Sequence, residues 1–459
     1  MDKVKFDAAL IRKYDRSGPR YTSYPTAVQF HEGFTEADYR AWARVGNVGK
    51  RPLSLYLHIP FCDTVCYYCA CNKVITRNRA RSSEYLGYLY REISQQGALF
   101  GRDRPVRQLH WGGGTPTYIS QQEMRNLMAA LRQNFRLLDD DSGEYSIEID
   151  PRTVDGDSLA LLRELGFNRV SFGVQDLDPA VQRAVNRWQP LEQNRAAIDN
   201  ARQLGFRSVS LDLIYGLPEQ SVASFERTLE GILELAPDRL SVFNYAHLPR
   251  MFKPQRQIDE SQLPSPEVKL QILERVMARL GEAGYVYIGM DHFALPGDEL
   301  ARALEAGTLQ RNFQGYSTHA DCDLVGLGAS SIGKMGDCYN QNHKTLPEYM
   351  AAVEAGRLPI GRGVNLTFDD VLRREVIGQL ICRFQLDIVG VEARYGIDFG
   401  DYFATELEQL TDMAGDGLLT VGMEGVTVLP AGRMLIRNIC MVFDRYLQTT
   451  APERFSRAI

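Results

Sequence analysis

The sequence predicts an α/β fold built on an open, three-quarter (β/α)6 barrel with an N-terminal arm and a small, mainly helical C-terminal domain. From about residue 53, short β-branched runs alternate with longer amphipathic stretches, the pattern of βα units around a parallel sheet. Six such runs are present, short of the eight that close a full barrel. Polar, glycine and cysteine motifs stand just beyond the C-terminal ends of these runs, where barrel enzymes place their chemistry.

Residues 1–50 form the expected arm over the active site, because Ser17-Gly-Pro-Arg-Tyr-Thr-Ser-Tyr-Pro25 is too rich in turn formers to be a helix. Residues 51–350 are assigned to the barrel and its extension. Strands are expected at 53–59, 106–111, 145–149, 169–173, 208–214 and 240–245. Helices are expected near 84–99, 121–134, 158–165, 191–204 and 222–235, with Gly166 and Gly205 as stop signals. The cysteines follow the first strand and Gly112-Gly113-Gly114-Thr115-Pro116 the second. Asp150-Pro151, Gln175-Asp176, Gly216-Leu217-Pro218 and Ala246-His247 follow the others in order, so one face collects them all. Residues 351–459 read as a domain with helices at 368–385, 401–414 and 430–448 and a hairpin within 418–429.

Composition bounds the function. The chain has 459 residues, 44% of them hydrophobic and 24% charged, enough for a large core. It has no run of about 18 apolar residues, which argues against a membrane span. A formal charge of −6 argues against a nucleic-acid partner, which demands a basic face. The N-terminus Met1-Asp-Lys-Val-Lys-Phe6 has no apolar signal core, so a reducing, cytoplasmic location is expected.

Four of the eight cysteines fall within ten residues: Cys62, Cys66, Cys69 and Cys71. Three thiolates spaced C-x3-C-x2-C can wrap a compact inorganic core, whereas ferredoxin runs complete the shell with a fourth cysteine. An open metal position is what a catalytic site keeps, so the spacing suggests a 4Fe-4S cluster with one iron open to a small molecule. A zinc knot would need a second C-x2-C or C/H pair. Cys322, Cys338, Cys382 and Cys440 are scattered and supply none; they read as packing residues.

Other residues carry weaker signals. Glycines 112–114 let backbone approach a ligand without Cβ interference. Glu148 and Asp212 interrupt apolar strands, and a buried carboxylate there needs a partner, either a core salt bridge or a ligand hydroxyl or ammonium. Arg187 taken alone reads as a solvated helix end. His58 and His110 read as barrel-core residues, and His292 stays undecided.

Taken together, Arg20-Tyr-Thr-Ser-Tyr-Pro-Thr26, the C-x3-C-x2-C-x-C set, Leu109-His-Trp-Gly-Gly-Gly-Thr-Pro-Thr117, Gly173-Val-Gln-Asp176, Asp212-Leu-Ile-Tyr-Gly-Leu-Pro218, Ser241-Val-Phe-Asn-Tyr-Ala-His247, Gly289-Met-Asp-His-Phe293 and Arg311-Asn-Phe-Gln-Gly-Tyr316 resemble the oxygen-independent coproporphyrinogen III oxidases of the radical S-adenosylmethionine superfamily. The resemblance implies an oxidoreductase of heme biosynthesis. It would decarboxylate the ring A and B propionates of coproporphyrinogen III to vinyls, giving protoporphyrinogen IX, through a 5′-deoxyadenosyl radical. Cys62, Cys66 and Cys69 would hold the cluster. Two S-adenosylmethionine molecules are implied, the first contacted at Tyr56, Gly113, Glu148 and Ile332. The second would meet Tyr68, Gly114, Thr115, Gln175, Arg187, Asp212 and Ala246. Cys71 matches the family's fourth cysteine and is expected to serve turnover rather than cluster binding.

Four substrate propionates need a local basic set in an acidic chain, with Arg20 and Arg311 as candidates. The expected partners are the substrate and an unidentified electron donor and acceptor, and the expected state is a monomer. Two readings compete: a related heme-binding chaperone, which lacks the long arm and the C-x-C of Cys69 and Cys71, and a structural iron–sulfur protein, which would not need the glycine run.

Overall fold

The computed structural model describes residues 4–319 and 321–447. Six strands lie side by side and parallel: β1 (Leu53–Ile59), β2 (Pro105–Gly113), β3 (Glu144–Ile149), β4 (Arg169–Gln175), β5 (Ser208–Tyr215) and β6 (Arg239–Asn244). Beyond β6 the sheet continues through an antiparallel pair, β7 (Val286–Gly289) and β8 (His292–Ala294). On the far side of β1 it continues through β9 (Asp323–Leu327), β10 (Ile332–Met335), β11 (Cys338–Asn342) and β12 (Ile360–Asn365). The end strands β7 and β12 do not pair with each other, so the barrel stays open.

The open barrel is as expected, with one strand more than the six runs marked. Strand β9 runs parallel to β1, so seven parallel strands form the curved wall rather than six. Asp323-Leu-Val-Gly-Leu327 is buried on both faces and arrives after a short hairpin instead of a long helix, so neither alternation nor a preceding amphipathic stretch marks it.

Strand period does the positioning. In β3, β4 and β5 alternate residues are fully packed against the outer helices, while Ser146 and Glu148, Ser171, Gly173 and Gln175, and Ser210, Asp212 and Ile214 face the interior. Serines and glycines there leave room inside the wall. The packed face is large and rigid: Trp111, Tyr85, Tyr145, Phe167 and Phe172 are at most 2% exposed, and each such side chain contributes roughly 1.5–3 kcal/mol. The covering helices start on sequence-coded caps, as at Ser120 and Glu123, which bond each other's backbone N–H before Gln121–Asn134.

The arm is irregular through residues 17–25, as expected, between helices Ala8–Tyr14 and Glu36–Val48. It touches both the barrel and the C-terminal region. Arg20 Nη1 pairs with Asp291 at 2.6 Å, the Tyr21 hydroxyl donates to Asp444 at 3.0 Å, and Arg437 Nε donates to the Pro19 carbonyl at 2.9 Å. The C-terminal region holds the helix Phe368–Arg383, shorter helices to Gly415, and an antiparallel hairpin of Leu419–Val421 and Gly425–Val428. Its last helix among the described residues is Ile436–Val442, shorter than the 430–448 expected, because Pro430-Ala-Gly432 forms a turn and a single 3-10 turn, Arg433–Leu435, precedes it. Residue 448 lies outside the described residues.

Candidate active site

The cysteine loop leaves the C-terminal end of β1 and is closed at its base by parallel pairing of Phe61–Cys62 with Val74–Ile75. Within it the Cys69 N–H donates to the Cys66 carbonyl at 3.2 Å, a tight turn that brings two ligand positions to one side. Hydrogen-bond donors are aimed at the sulfurs. Thr115 Oγ1 lies 3.4 Å from Cys62 Sγ, and Cys66 Sγ receives Arg187 Nη1 at 3.5 Å and Arg152 Nη2 at 3.8 Å. Cationic and hydroxyl donors around sulfur stabilise thiolates, so the surroundings of Cys62 and Cys66 suit sulfurs that bind iron.

The glycine run lies against this loop. The Gly114 N–H donates to the Ile59 carbonyl at 2.9 Å and the Thr115 N–H to the Phe61 carbonyl at 2.8 Å. Gly113 has φ +118°, and a Cβ there would sit 2.7 Å from the His58 ring; one on Gly114 would sit 2.8 Å from the Pro60 and Phe61 backbone. No other residue fits at either place. Beside them opens a cavity of about 310 Å³ lined by Tyr56, Cys71, Gly113, Glu148 and Ile332, contributed by five separate segments. Glu148 Oε2 accepts from the Gly113 N–H at 3.1 Å, and Oε1 lies 3.3 Å from His110 Nε2. Burial acts to raise the Glu148 carboxyl, but His110 and the Gly113 amide together hold it below its ordinary range. The Tyr56 ring stacks on His110 with centroids 5.8 Å apart, which fixes the cavity wall.

Deeper in the barrel Glu148 and Asp212 line a second cavity of about 220 Å³ with Ser171 and Ser241. Register explains the gathering: Glu148 lies opposite Ser171, and Asp212 opposite Gly173 and Ser241. Burial, with the Glu148 charge nearby, pushes the Asp212 carboxyl up to about 6.

Arg187 is not a solvated helix end. It is 6% exposed, with Nη1 3.0 Å from Asp150 Oδ2 and Nη2 2.6 Å from the Gly173 carbonyl, while its Nε is buried without a partner among the described residues. Burial opposes ionisation of Asp150, yet Arg187 and Arg152 hold its carboxyl down at about 2. Gln175 ends β4 in the left-handed region, φ 69°. Tyr68 packs beside Val185, Leu217 and Tyr245. Ala246 opens instead on a separate cavity of about 840 Å³ with Tyr215 and Lys269. The first set of expected contacts therefore shares one cavity, while the second set is divided: Thr115 and Arg187 touch the cysteine loop, Asp212 lies in the deeper cavity and Ala246 opens on a third.

Residues 56–232 match the family model of the radical SAM superfamily, and residues 366–435 match the HemN C-terminal domain. The oxygen-independent coproporphyrinogen III oxidase of Pseudomonas aeruginosa is 55% identical over 459 residues, covering 100% of both chains. That of Escherichia coli is 51% identical over 460 residues, again covering 100% of both. The chain belongs to the oxygen-independent coproporphyrinogen III oxidases. A solved structure described as coproporphyrinogen III oxidase (HemN) from Escherichia coli, a radical SAM enzyme, superposes with a TM-score of 0.93 at 49% identity, covering 97% of this chain and 100% of that one.

For this coproporphyrinogen III oxidase family member, superfamily membership brings a 4Fe-4S cluster and S-adenosylmethionine as cofactors. Among the described residues no helix is long and apolar enough to cross a membrane. Two site residues, Arg152 and Gln255, escaped sequence reasoning, and Asp150 was marked only by its place after β3. Arg152 stands two residues beyond Asp150 at the C-terminal end of β3, a position that could have marked it as well. Gln255 had no local signal: 2% exposed, it donates Nε2 to the carbonyls of Tyr68 at 3.0 Å and Ala246 at 3.2 Å, and its Oε1 accepts from the Leu248 N–H at 2.6 Å.

Proposed function

We propose that this chain converts coproporphyrinogen III to protoporphyrinogen IX without dioxygen, removing carbon dioxide from two propionates in heme biosynthesis. The observation that carries it is the cavity where Tyr56, Gly113, Glu148, Ile332 and Cys71 meet directly beside the cysteine loop. Cys62, Cys66 and Cys69 would hold the cluster there, with S-adenosylmethionine against the glycine run. Bound together, these cofactors supply a carbon radical able to take hydrogen from a saturated substrate carbon.

The chain's own residues orient and enclose. Glu148, held ionised and aimed by Gly113 and His110, offers acceptors for ribose hydroxyls or an ammonium. Asp212 and Arg187 supply the charges for a second S-adenosylmethionine, Asp212 to an ammonium and Arg187, through its unpartnered Nε, to a carboxylate. Tyr68, Gly114, Thr115, Gln175 and Ala246 complete that shell around the loop. Cys71, on the cavity wall, acts in turnover.

Anaerobic reconstitution with iron and sulfide, reduction, and product analysis on coproporphyrinogen III test this reading. Vinyl product is expected from the wild-type chain, with loss of iron and of product in Cys66→Ala and retention of iron in Cys382→Ala. Full iron content in Cys66→Ala overturns the ligand assignment, and absence of vinyl product from iron-replete wild type overturns the function.

A further inference from the structure

A cavity of about 750 Å³ lies between the arm, the hairpin Gln310–Asn312 to Gly315–Ser317, strand β10 and the helix Phe368–Arg383. Its size suits a large ligand or a large part of one. Six cationic side chains and four carboxylates line it, two more cations than anions. Three of the arginines have their carboxylates: Arg51 pairs with Asp323, Arg374 with Asp337 at 2.6 Å, and Arg394 with Glu375.

The other three cations do not. Among the described residues the Lys334 ammonium makes no hydrogen bond or ion pair; burial, then the neighbouring Arg374 charge, pushes it down to about 8, with Asp323 and Asp337 acting against them. Arg311 has Nη1 buried without a partner and Arg383 has Nε buried without one. Half-buried cations left without anions destabilise a fold. Such a set is retained where an anion arrives with a ligand.

The cavity adjoins the candidate active site. Phe313 lines both this space and the cavity beside Cys71. Ile332 of the active-site wall and Lys334 lie two residues apart on β10, on one face and about 7 Å from each other. The substrate's reacting propionates lose their carboxylates, so they cannot anchor the macrocycle through both steps. Only the two that survive can.

We propose that Lys334, Arg311 and Arg383 bind the two propionate carboxylates that the reaction leaves intact, and that this basic cavity sets the orientation in which the other two reach the radical. The proposal rests on the function given above. Arg20, paired with Asp291, lies outside this cavity.

Steady-state turnover of coproporphyrinogen III by reconstituted Lys334→Met and Arg383→Gln holoenzyme tests it. In each, KM should rise about tenfold or more, as expected for a lost charge-assisted contact, with kcat for vinyl formation within about twofold. Lys334→Arg should restore KM. Because the Lys334 ammonium has no partner among the described residues, Lys334→Met should unfold at the same temperature as wild type or higher, which separates ligand binding from a structural role. An unchanged KM in both variants, with wild type active, overturns the cavity assignment alone, as does a fall in kcat at constant KM. A wild-type holoenzyme that forms no vinyl product overturns both this proposal and the function on which it rests.

Discussion

Asp212 shows how a strand's period and its neighbours' charges prepare one side chain for a ligand. Its interior-facing position in β5 desolvates it, Glu148 repels it, and only weak hydroxyl donors such as Ser171 Oγ, 3.3 Å away, favour its ionised form. A carboxylate poised at about 6 gains most from a cation that arrives later. Asp212→Ala should lose about 1.5–3 kcal/mol of that contact, so equilibrium binding is expected to fall from two S-adenosylmethionine per chain toward one with the cluster spectrum unchanged. The sign with pH follows: the second molecule should weaken as pH drops below about 6, where Asp212 is protonated. A wild-type enzyme that binds a single molecule at pH 8 contradicts the assignment.

At the scale of elements, Gln255 joins two that carry the candidate second site. One amide spans the cysteine loop at Tyr68 and the segment after β6 at Ala246. Gln255→Leu leaves two carbonyls and the Leu248 N–H unpaired, each costing about 1–3 kcal/mol when buried. Thermal unfolding at lower temperature and S-adenosylmethionine binding weakened by tenfold or more are expected, with iron content retained. Wild-type affinity in a folded variant would dismiss the clamp. Gln255 also marks the boundary of what the chain discloses by itself. Strands β1 to β6, the cysteine loop and the glycine run were legible because period, branching and spacing are local properties. Strand β9 was not, being buried on both faces without a preceding helix. Nor was the setting of Arg187, whose partners Asp150, Gly173 and Cys66 stand 37, 14 and 121 residues away. Long-range polar contacts leave no periodic trace.

The whole molecule is tied together by buried polar joints as well as by its core. Glu92, 0% exposed on the helix Ala80–Gly97, accepts from the Gly328 N–H at 2.8 Å, Asn342 Nδ2 at 2.7 Å and the Tyr349 hydroxyl at 2.6 Å, so it fastens the barrel to the extension that follows β9. Burial outweighs these donors and raises its carboxyl from 4.5 to about 7. The folded chain therefore keeps a proton that the unfolded chain has shed between those values. Its contribution is fully present below pH 4.5 and is lost as pH rises through 7, a difference of about 3 kcal/mol. Glu92→Gln should flatten this part of the decline in urea-unfolding stability between pH 5 and 8; an unaltered slope would rule the group out. The arm has a consequence of another kind, in the timing of synthesis. Tyr14, Pro19 and Tyr21 meet Asn438, Arg437 and Asp444, separations of 424, 418 and 423 residues. The arm leaves the ribosome more than 400 residues before the surface on which these contacts form. The barrel strands can assemble in order as they emerge, and Arg20 can meet Asp291 once residue 291 is made, but the contacts of Tyr14, Pro19 and Tyr21 wait for residues 437–444, so this side of the molecule closes long after the barrel.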